Sequence, residues 1–356
     1  MNSETEDRQF RGKRILLVGG AGFIGHHLAL TLAGRGAEVA VVDSLQVNNL
    51  LSLHDDSAPQ ERSLYSHMIN ERLLLLQEAG IPLHVDDARD YHRLGKRFAE
   101  FEPNVVVLLS AVSHASRANK DPRTTLDHSF RTLENALDLS RSVGAHFIFF
   151  SSSMVYGDFL TSSVDEDAPC NPIAIYGAVK LGGEKLVSAY GRVFDMPYTI
   201  IRPSALYGER CISRRVGQVF IENAIRGKEL LIMGDGTDQV DFTYIEDLIR
   251  GVGLVICKEA SKGQVFNITY GQARQLRELA ELVQMEFPGI VVRHEPRDAL
   301  VPERGTLDVS KARELLGYEP SFAIESGVPR YIQWYRNLGQ TFDFVSLATL
   351  DAQPNE

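Results

Sequence analysis

Residues Arg14-Ile-Leu-Leu-Val-Gly-Gly-Ala-Gly-Phe-Ile-Gly25 begin on an apolar strand, pass through a glycine turn and enter a helix-like stretch that leads to Ala40-Val-Val-Asp43. Strand, turn, helix and a second strand ending in a carboxylate are the parts of a dinucleotide-binding unit. Gly19 lets the chain turn sharply off the strand, Gly22 lets backbone N–H groups approach a pyrophosphate, and Gly25 lets the helix lie close on the sheet. The helix directs its positive end toward the phosphates. Asp43 stands near the roughly 20-residue offset of an acid that accepts hydrogen bonds from a ribose. A carboxylate there repels a 2′-phosphate, so the pattern favours NAD over NADP.

Working outward, short apolar runs at 15–18, 39–42, 83–85, 105–109, 147–150 and 199–201 alternate with helical patterns such as 23–33, 91–100 and 130–142. This alternation predicts a doubly wound parallel α/β sheet covered on both faces. The connection from 44 to 82 is longer than most and carries a helical pattern over 64–79, read as an inserted element near the adenosine end or the substrate mouth, or as an extra surface helix. Beyond Arg202 the pattern loosens into a smaller mixed α/β lobe. The expected division is a nucleotide-binding domain over 12–202, with 238–268 returning to it, and a substrate lobe from 203–237 and 269–340. Residues 1–11 and 341–356 read as tails.

The chain has 356 residues, 44% hydrophobic and 24% charged, with a formal net charge of -10. Such an acidic balance gives no electrostatic support for a nucleic-acid partner. No apolar run is long enough to cross a bilayer. The three cysteines, Cys170, Cys211 and Cys257, lack paired spacing, so neither a disulfide framework nor a metal site is expected, and the usage fits a reducing cytoplasm.

Tyr176-Gly-Ala-Val-Lys180 places a phenol and an ammonium one helical turn apart. A tyrosine with a reference pKa near 10 is a poor base at neutral pH; a neighbouring ammonium stabilises its phenolate. Ser151-Ser-Ser153 follows the apolar strand 147–150, at the carboxyl edge of the predicted sheet, where a hydroxyl meets both a reacting oxygen and the tyrosine.

Together, Gly19-Gly-Ala-Gly-Phe-Ile-Gly25, Ser151-Ser-Ser-Met-Val-Tyr-Gly157 and Tyr176-Gly-Ala-Val-Lys180 resemble the extended short-chain dehydrogenase/reductases, most closely the nucleotide-sugar epimerases and dehydratases. Asp87-Ala-Arg-Asp90, Arg202-Pro-Ser-Ala-Leu-Tyr-Gly208, Asp241-Phe-Thr-Tyr-Ile-Glu-Asp247 and Leu316-Gly-Tyr-Glu-Pro320 extend the resemblance from about Lys13 to Tyr335. It implies Tyr176 as catalytic base, Lys180 as its partner on the nicotinamide ribose, and Ser152 as the catalytic hydroxyl. It implies cofactor contacts at Gly19, Gly22, Phe23, Ile24, Gly25, Asp43, Asp87, Ala88, Ser110 and Ala111. It also implies a nucleoside-diphosphate sugar as substrate and a homodimer built through helices over 130–142 and 175–190.

Some positions depart from the family's pattern. Ala205 stands where many members carry an asparagine, and Val240 where an arginine commonly binds the diphosphate. Candidates to replace that cation are Arg210, Arg214, Arg215 and Arg297; His114 and Ser153 are further substrate candidates. Family dehydratases place an Asp-Glu pair after the catalytic hydroxyl, and decarboxylating members keep a glutamate at the second position. Here those positions are Ser153 and Met154, which leaves epimerisation, expected at C4 through a transient 4-keto sugar. A dehydratase, decarboxylase or one-way reductase of the same family is the alternative, and a catalytically silent NAD(P)-sensing regulator is an alternative of another class. Cys170 and Cys211 leave a 3,5-epimerase as a minor reading.

Overall fold

The computed structural model describes residues 9–54, 59–110, 115–340 and 342. Seven strands form its central sheet: β1 (Arg14–Val18), β2 (Glu38–Val42), β3 (Leu83–His84), β4 (Val105–Leu108), β5 (His146–Phe150), β6 (Tyr198–Arg202) and β7 (Gln264–Asn267). Their spatial order is 7-6-5-4-1-2-3, and every pairing is parallel. The order reverses between β1 and β4, the switch point where such sheets open a crevice at their carboxyl ends.

The strands read as unbroken apolar runs because both faces are covered. Ile15, Leu17, Val39, Val41, Val105 and Val107 join one core, where helices α1 (Phe23–Gly34), α2 (Pro59–Glu78) and later α7 (Ile245–Cys257) pack. Their neighbours Leu16, Val18, Ala40, Val42, Val106 and Leu108 join the other, with α3 (Tyr91–Phe101), α4 (Thr132–Val143) and α5 (Ile175–Phe194). The two-residue period of a strand divides each run between two separate cores.

The second lobe contains α6 (Val216–Ile225), a parallel pair of strands Leu230–Met233 and Val292–Glu295, α8 (Leu276–Glu286) and α9 (Ile324–Leu338). Asp241 joins distant parts of it, accepting from Leu307 N at 3.1 Å, Thr269 Oγ1 at 3.1 Å and Gly271 N at 3.2 Å. Among the described residues no helix is long and apolar enough to cross a membrane.

Several elements differ in detail from the sequence expectation. Strand β3 stops at His84 and Val85 is exposed, since this edge strand pairs only with Val41 and Val42. The helix expected over 130–142 starts at Thr132, after a π-helical turn at Asp127–Arg131. Segment 238–268 returns to the sheet only in its later part: Gln239–Val240 pairs with Arg274–Gln275 and Thr243–Tyr244 with Leu206–Tyr207, outside the main sheet. Phe10, within the expected tail, is buried and stacks under the Arg35 guanidinium at 4.6 Å, because an aromatic ring gains by covering the open side of the first core. Helix α2 is no surface helix: Leu64, Tyr65, Met68, Ile69 and Leu76 lie in that core.

Candidate functional site

The glycine turn builds a cradle between β1 and α1. Gly19 has φ +86°, and a Cβ there would stand 2.6 Å from the Ser110 backbone nitrogen. Gly25 packs so closely that a Cβ would lie 2.5 Å from Gly20 Cα. At Gly22 a Cβ would meet only the Gly19 carbonyl oxygen at 3.4 Å and would otherwise occupy the open cradle. The space is thus kept for a group that approaches backbone N–H donors, as a pyrophosphate does.

One cavity runs over this turn. It is lined by Gly19, Gly22, Phe23, Ile24, Gly25 and Ser110, continues past Asp43 to Asp87 and Ala88, and reaches Arg215 at its other side. The sequence-derived cofactor residues from β1, β2, the strap after β3 and the end of β4 therefore face one space. Ala111 and His114 lie outside the described residues.

Asp43 closes the loop that it follows. Its carboxylate accepts from Ala21 N at 3.0 Å and Leu45 N at 2.8 Å, while burial pushes its pKa up. Asp87 is held ionised by Arg89, which donates to it at 2.6 Å and bridges to Asp127 at 2.7 Å.

The chemistry-bearing side chains come from the ends of β5 and the start of α5. Ser152 is the N-terminal residue of a 3-10 turn, and its hydroxyl accepts from Met154 N at 3.2 Å. Burial raises the Tyr176 pKa, and the charge of Arg215 and the Ser152 hydroxyl oppose that rise. Lys180 is buried, with Nζ donating to the Phe150 carbonyl at 2.6 Å and lying 5.9 Å from the Tyr176 ring centroid. Burial lowers its pKa to about 8, while Glu184 acts to raise it. Ser152, Tyr176 and Lys180 thus share one edge, and burial opposes the ionised forms of Tyr176 and Lys180.

Below them lies a network that the motif reading did not include. Glu184, one turn after Lys180, pairs with Arg202 at 2.7 Å with both side chains buried, and the Ser151 hydroxyl donates to it. Arg202 also donates to the Tyr156 hydroxyl at 2.9 Å, which in turn donates to Asn267 Oδ1 at 2.8 Å. The spacing of Lys180 and Glu184 on one helix face was the available signal.

The candidate substrate cations separate clearly. Arg210 is engaged by Glu71 at 3.0 Å and by His26 Nε2 at 3.0 Å. Arg214 pairs with Glu61, and Arg297 pairs with Asp238 at 3.0 Å. Arg215 differs: it lines the cavity, and its Nε is buried with no hydrogen-bond partner among the described residues. Arg304, absent from the sequence candidates, feels the charges of Asp238, Arg297 and Arg215, and burial lowers its pKa. Val240 is buried and offers no donor. Ser153 is also buried, its N–H donating to the Pro203 carbonyl at 2.9 Å, so it packs beneath the crevice. Met154 is half-buried.

Comparison with known proteins adds lineage to this geometry. A putative UDP-glucose 4-epimerase of Methanocaldococcus jannaschii is 27% identical over 334 residues, covering 92% of this chain and 100% of that protein. UDP-glucuronic acid decarboxylase 1 of Arabidopsis thaliana is 30% identical over 332 residues, covering 91% of this chain and 70% of that protein. Among solved structures, UDP-glucose 4-epimerase of Thermotoga maritima with UDP-glucose superposes with a TM-score of 0.79 at 26% identity, over 91% of this chain and 99% of that one. UDP-glucuronic acid 4-epimerase of Bacillus cereus, in complex with UDP-glucuronic acid and NAD, gives 0.80 at 25% identity with the same coverage. The family model that matches residues 15–269 is that of the NAD dependent epimerase/dehydratase family; this chain belongs to that family, and its cofactor is NAD.

Proposed function

We propose that the protein is an NAD-dependent nucleotide-sugar epimerase that inverts C4. The observation that carries this reading is the pair of side chains after Ser152: Ser153 is buried and Met154 is a thioether, so neither supplies the acid and base that elimination of water needs. Tyr176, Ser152 and Lys180 suffice for a reaction that only removes and returns a hydride.

When bound, NAD supplies a hydride acceptor that later gives the hydride back. Tyr176 takes the proton from the sugar hydroxyl as its phenolate, and Ser152 holds the same oxygen. Lys180 stands beside the phenol and favours its ionised form. The resulting 4-keto sugar turns in the pocket and is reduced on its opposite face, with Tyr176 returning the proton. Arg215, supported by Arg304, neutralises the diphosphate in place of the arginine missing at Val240; a half-buried cation with an unpartnered Nε is suited to an anion. Ser152, Tyr176 and Lys180 present together argue against a silent sensor, which has no use for a proton-transfer set.

The test is incubation of the purified protein with UDP-, dTDP-, GDP- and CDP-sugars, with products resolved by NMR. A C4 epimer of unchanged mass supports the reading. Products lacking water or carbon dioxide overturn it in favour of a dehydratase or a decarboxylase.

A further inference from the structure

Arg72 is fully buried on α2, yet it lines the same cavity as Gly22 and Asp43. Its Nε donates to the Arg210 carbonyl at 3.0 Å, its Nη2 donates to the same oxygen, and its Nη1 reaches the Asn48 carbonyl at 3.5 Å. Asn48 belongs to the loop after β2, which lines the cofactor cavity with Asp43, Ser44, Val47 and Asn48 itself. Arg210 belongs to the second lobe, in the loop that leads to Arg215. One guanidinium therefore ties the cofactor loop to the substrate-side loop.

Burial pulls the Arg72 pKa down to about 10 while Asp43 acts to raise it, so the group is a cation at neutral pH. A buried cation held by two carbonyls from different lobes makes parting those lobes costly, because opening leaves it unpartnered. The rest of α2 reinforces the junction. Glu71 pairs with Arg210 at 3.0 Å, and Glu61 pairs with Arg214. Tyr65 donates to Glu222 on α6 at 2.9 Å, and Glu222 accepts from Tyr335 on α9 at 2.7 Å. From the other side, the His26 ring accepts from Arg210 Nε at 3.0 Å, while its Nδ1–H donates to the Gly22 carbonyl at 2.9 Å. Loop and glycine turn are thus linked through α1 as well as α2.

We propose that α2 is a clasp across the bound coenzyme, with Arg72 as the positioning residue that joins its two sides and slows NAD release. A reaction that regenerates its coenzyme in place gains nothing from letting it leave between turnovers, and the clasp supplies that retention. The proposal rests on NAD as the cofactor and not on which sugar is converted.

The test reads isotope exchange without any sugar, so the epimerase reading does not enter the result. Protein loaded with isotopically labelled NAD is challenged with excess unlabelled NAD, and bound label is followed by mass spectrometry. Arg72→Met is expected to exchange at least about tenfold faster than the parent, the loss expected for one charge-assisted contact. Arg72→Lys, which keeps the charge but cannot span both carbonyls with a planar fork, should fall between them. A folded Arg72→Met protein exchanging at the parent rate overturns the proposal. Should that variant not fold, the milder variant Glu61→Gln/Glu71→Gln decides: exchange about threefold faster supports the clasp, and exchange at the parent rate overturns it.

Discussion

The Ser152 hydroxyl favours the ionised form of the Tyr176 phenol, and the two come from different elements, the turn after β5 and the first turn of α5. The tyrosine sits in a site whose burial opposes its ionisation, so its basicity depends on its neighbours. Tyr176→Phe should lower kcat by at least about 100-fold, the lower range for a positioned proton-transfer group, while NAD content stays that of the parent. Steady-state assays and quantification of released NAD check both halves. Full turnover by the phenylalanine variant would remove the tyrosine from the proton-transfer role.

Arg215→Met should act on substrate binding. A charge-assisted contact contributes about 1.5–3 kcal/mol, so KM for the nucleotide sugar should rise about tenfold or more. Arg297→Met, which leaves Asp238 rather than the cavity without its partner, should change KM much less.

Glu184→Gln should destabilise the fold by about 3–5 kcal/mol, because Arg202 would stay buried without its carboxylate. Urea unfolding measures this directly. The same change removes the negative charge that raises the Lys180 pKa, so that pKa should fall below about 8. The alkaline limit of activity that depends on the ammonium should then move to lower pH.

His146 gives the protein an acid sensitivity of predictable sign. It hydrogen-bonds Thr199 Oγ1 at 2.8 Å, and burial lowers its pKa to about 4 from an ordinary 6.5. Between those values the unfolded chain binds the extra proton and the native one does not. Stability from this group is therefore intact above pH 6.5 and declines as pH falls toward 4, by about 3 kcal/mol in all. His146→Gln should flatten the pH dependence of urea unfolding across that window. Burial lowers the His27 pKa as well, to about 3, so some slope should remain.

Ala205 has φ +35°, a region that alanine adopts at a cost of about 1–2 kcal/mol and that asparagine tolerates better. Ala205→Asn should raise the thermal midpoint. An unchanged or lower midpoint would show that the surrounding chain, not the side chain, sets the conformation.

The parts of this site that were legible in the sequence are local. Gly19 to Gly25, Asp43 and the Tyr176–Lys180 spacing each depend on residues within one turn or one strand–helix unit. Their chemistry is written in short spacings, and the alternating apolar runs supplied the sheet. Arg72, His26, Arg304 and the Glu184–Arg202 pair were not legible as functional groups. Each gains its meaning from an interaction made across the fold: Arg72 and His26 meet Arg210, Glu184 meets Arg202, and Arg304 feels the charge of Arg215. Among Arg210, Arg214, Arg215 and Arg297 the sequence pointed only to Arg297, close to a family arginine if a one-residue shift is allowed, yet Glu71, Glu61 and Asp238 neutralise Arg210, Arg214 and Arg297 from other elements and leave Arg215. Phe10 was read as tail because a single aromatic in a polar stretch has no periodicity to reveal its burial.

Strand β6 is flanked in the sheet by β5 on one side and β7 on the other, and β7 pairs with it from Gln264 to Asn267. Sixty-one residues, 203–263, separate the two strands in the chain, part of them in the second lobe and part in α7. During translation β6 therefore emerges with an open hydrogen-bonding edge that no earlier residue fills. At about 5–20 residues per second, that edge waits several seconds for its cover, while the polypeptide is still on the ribosome. A nascent fragment ending near Lys258 should for this reason be the species most prone to aggregate and most dependent on a chaperone.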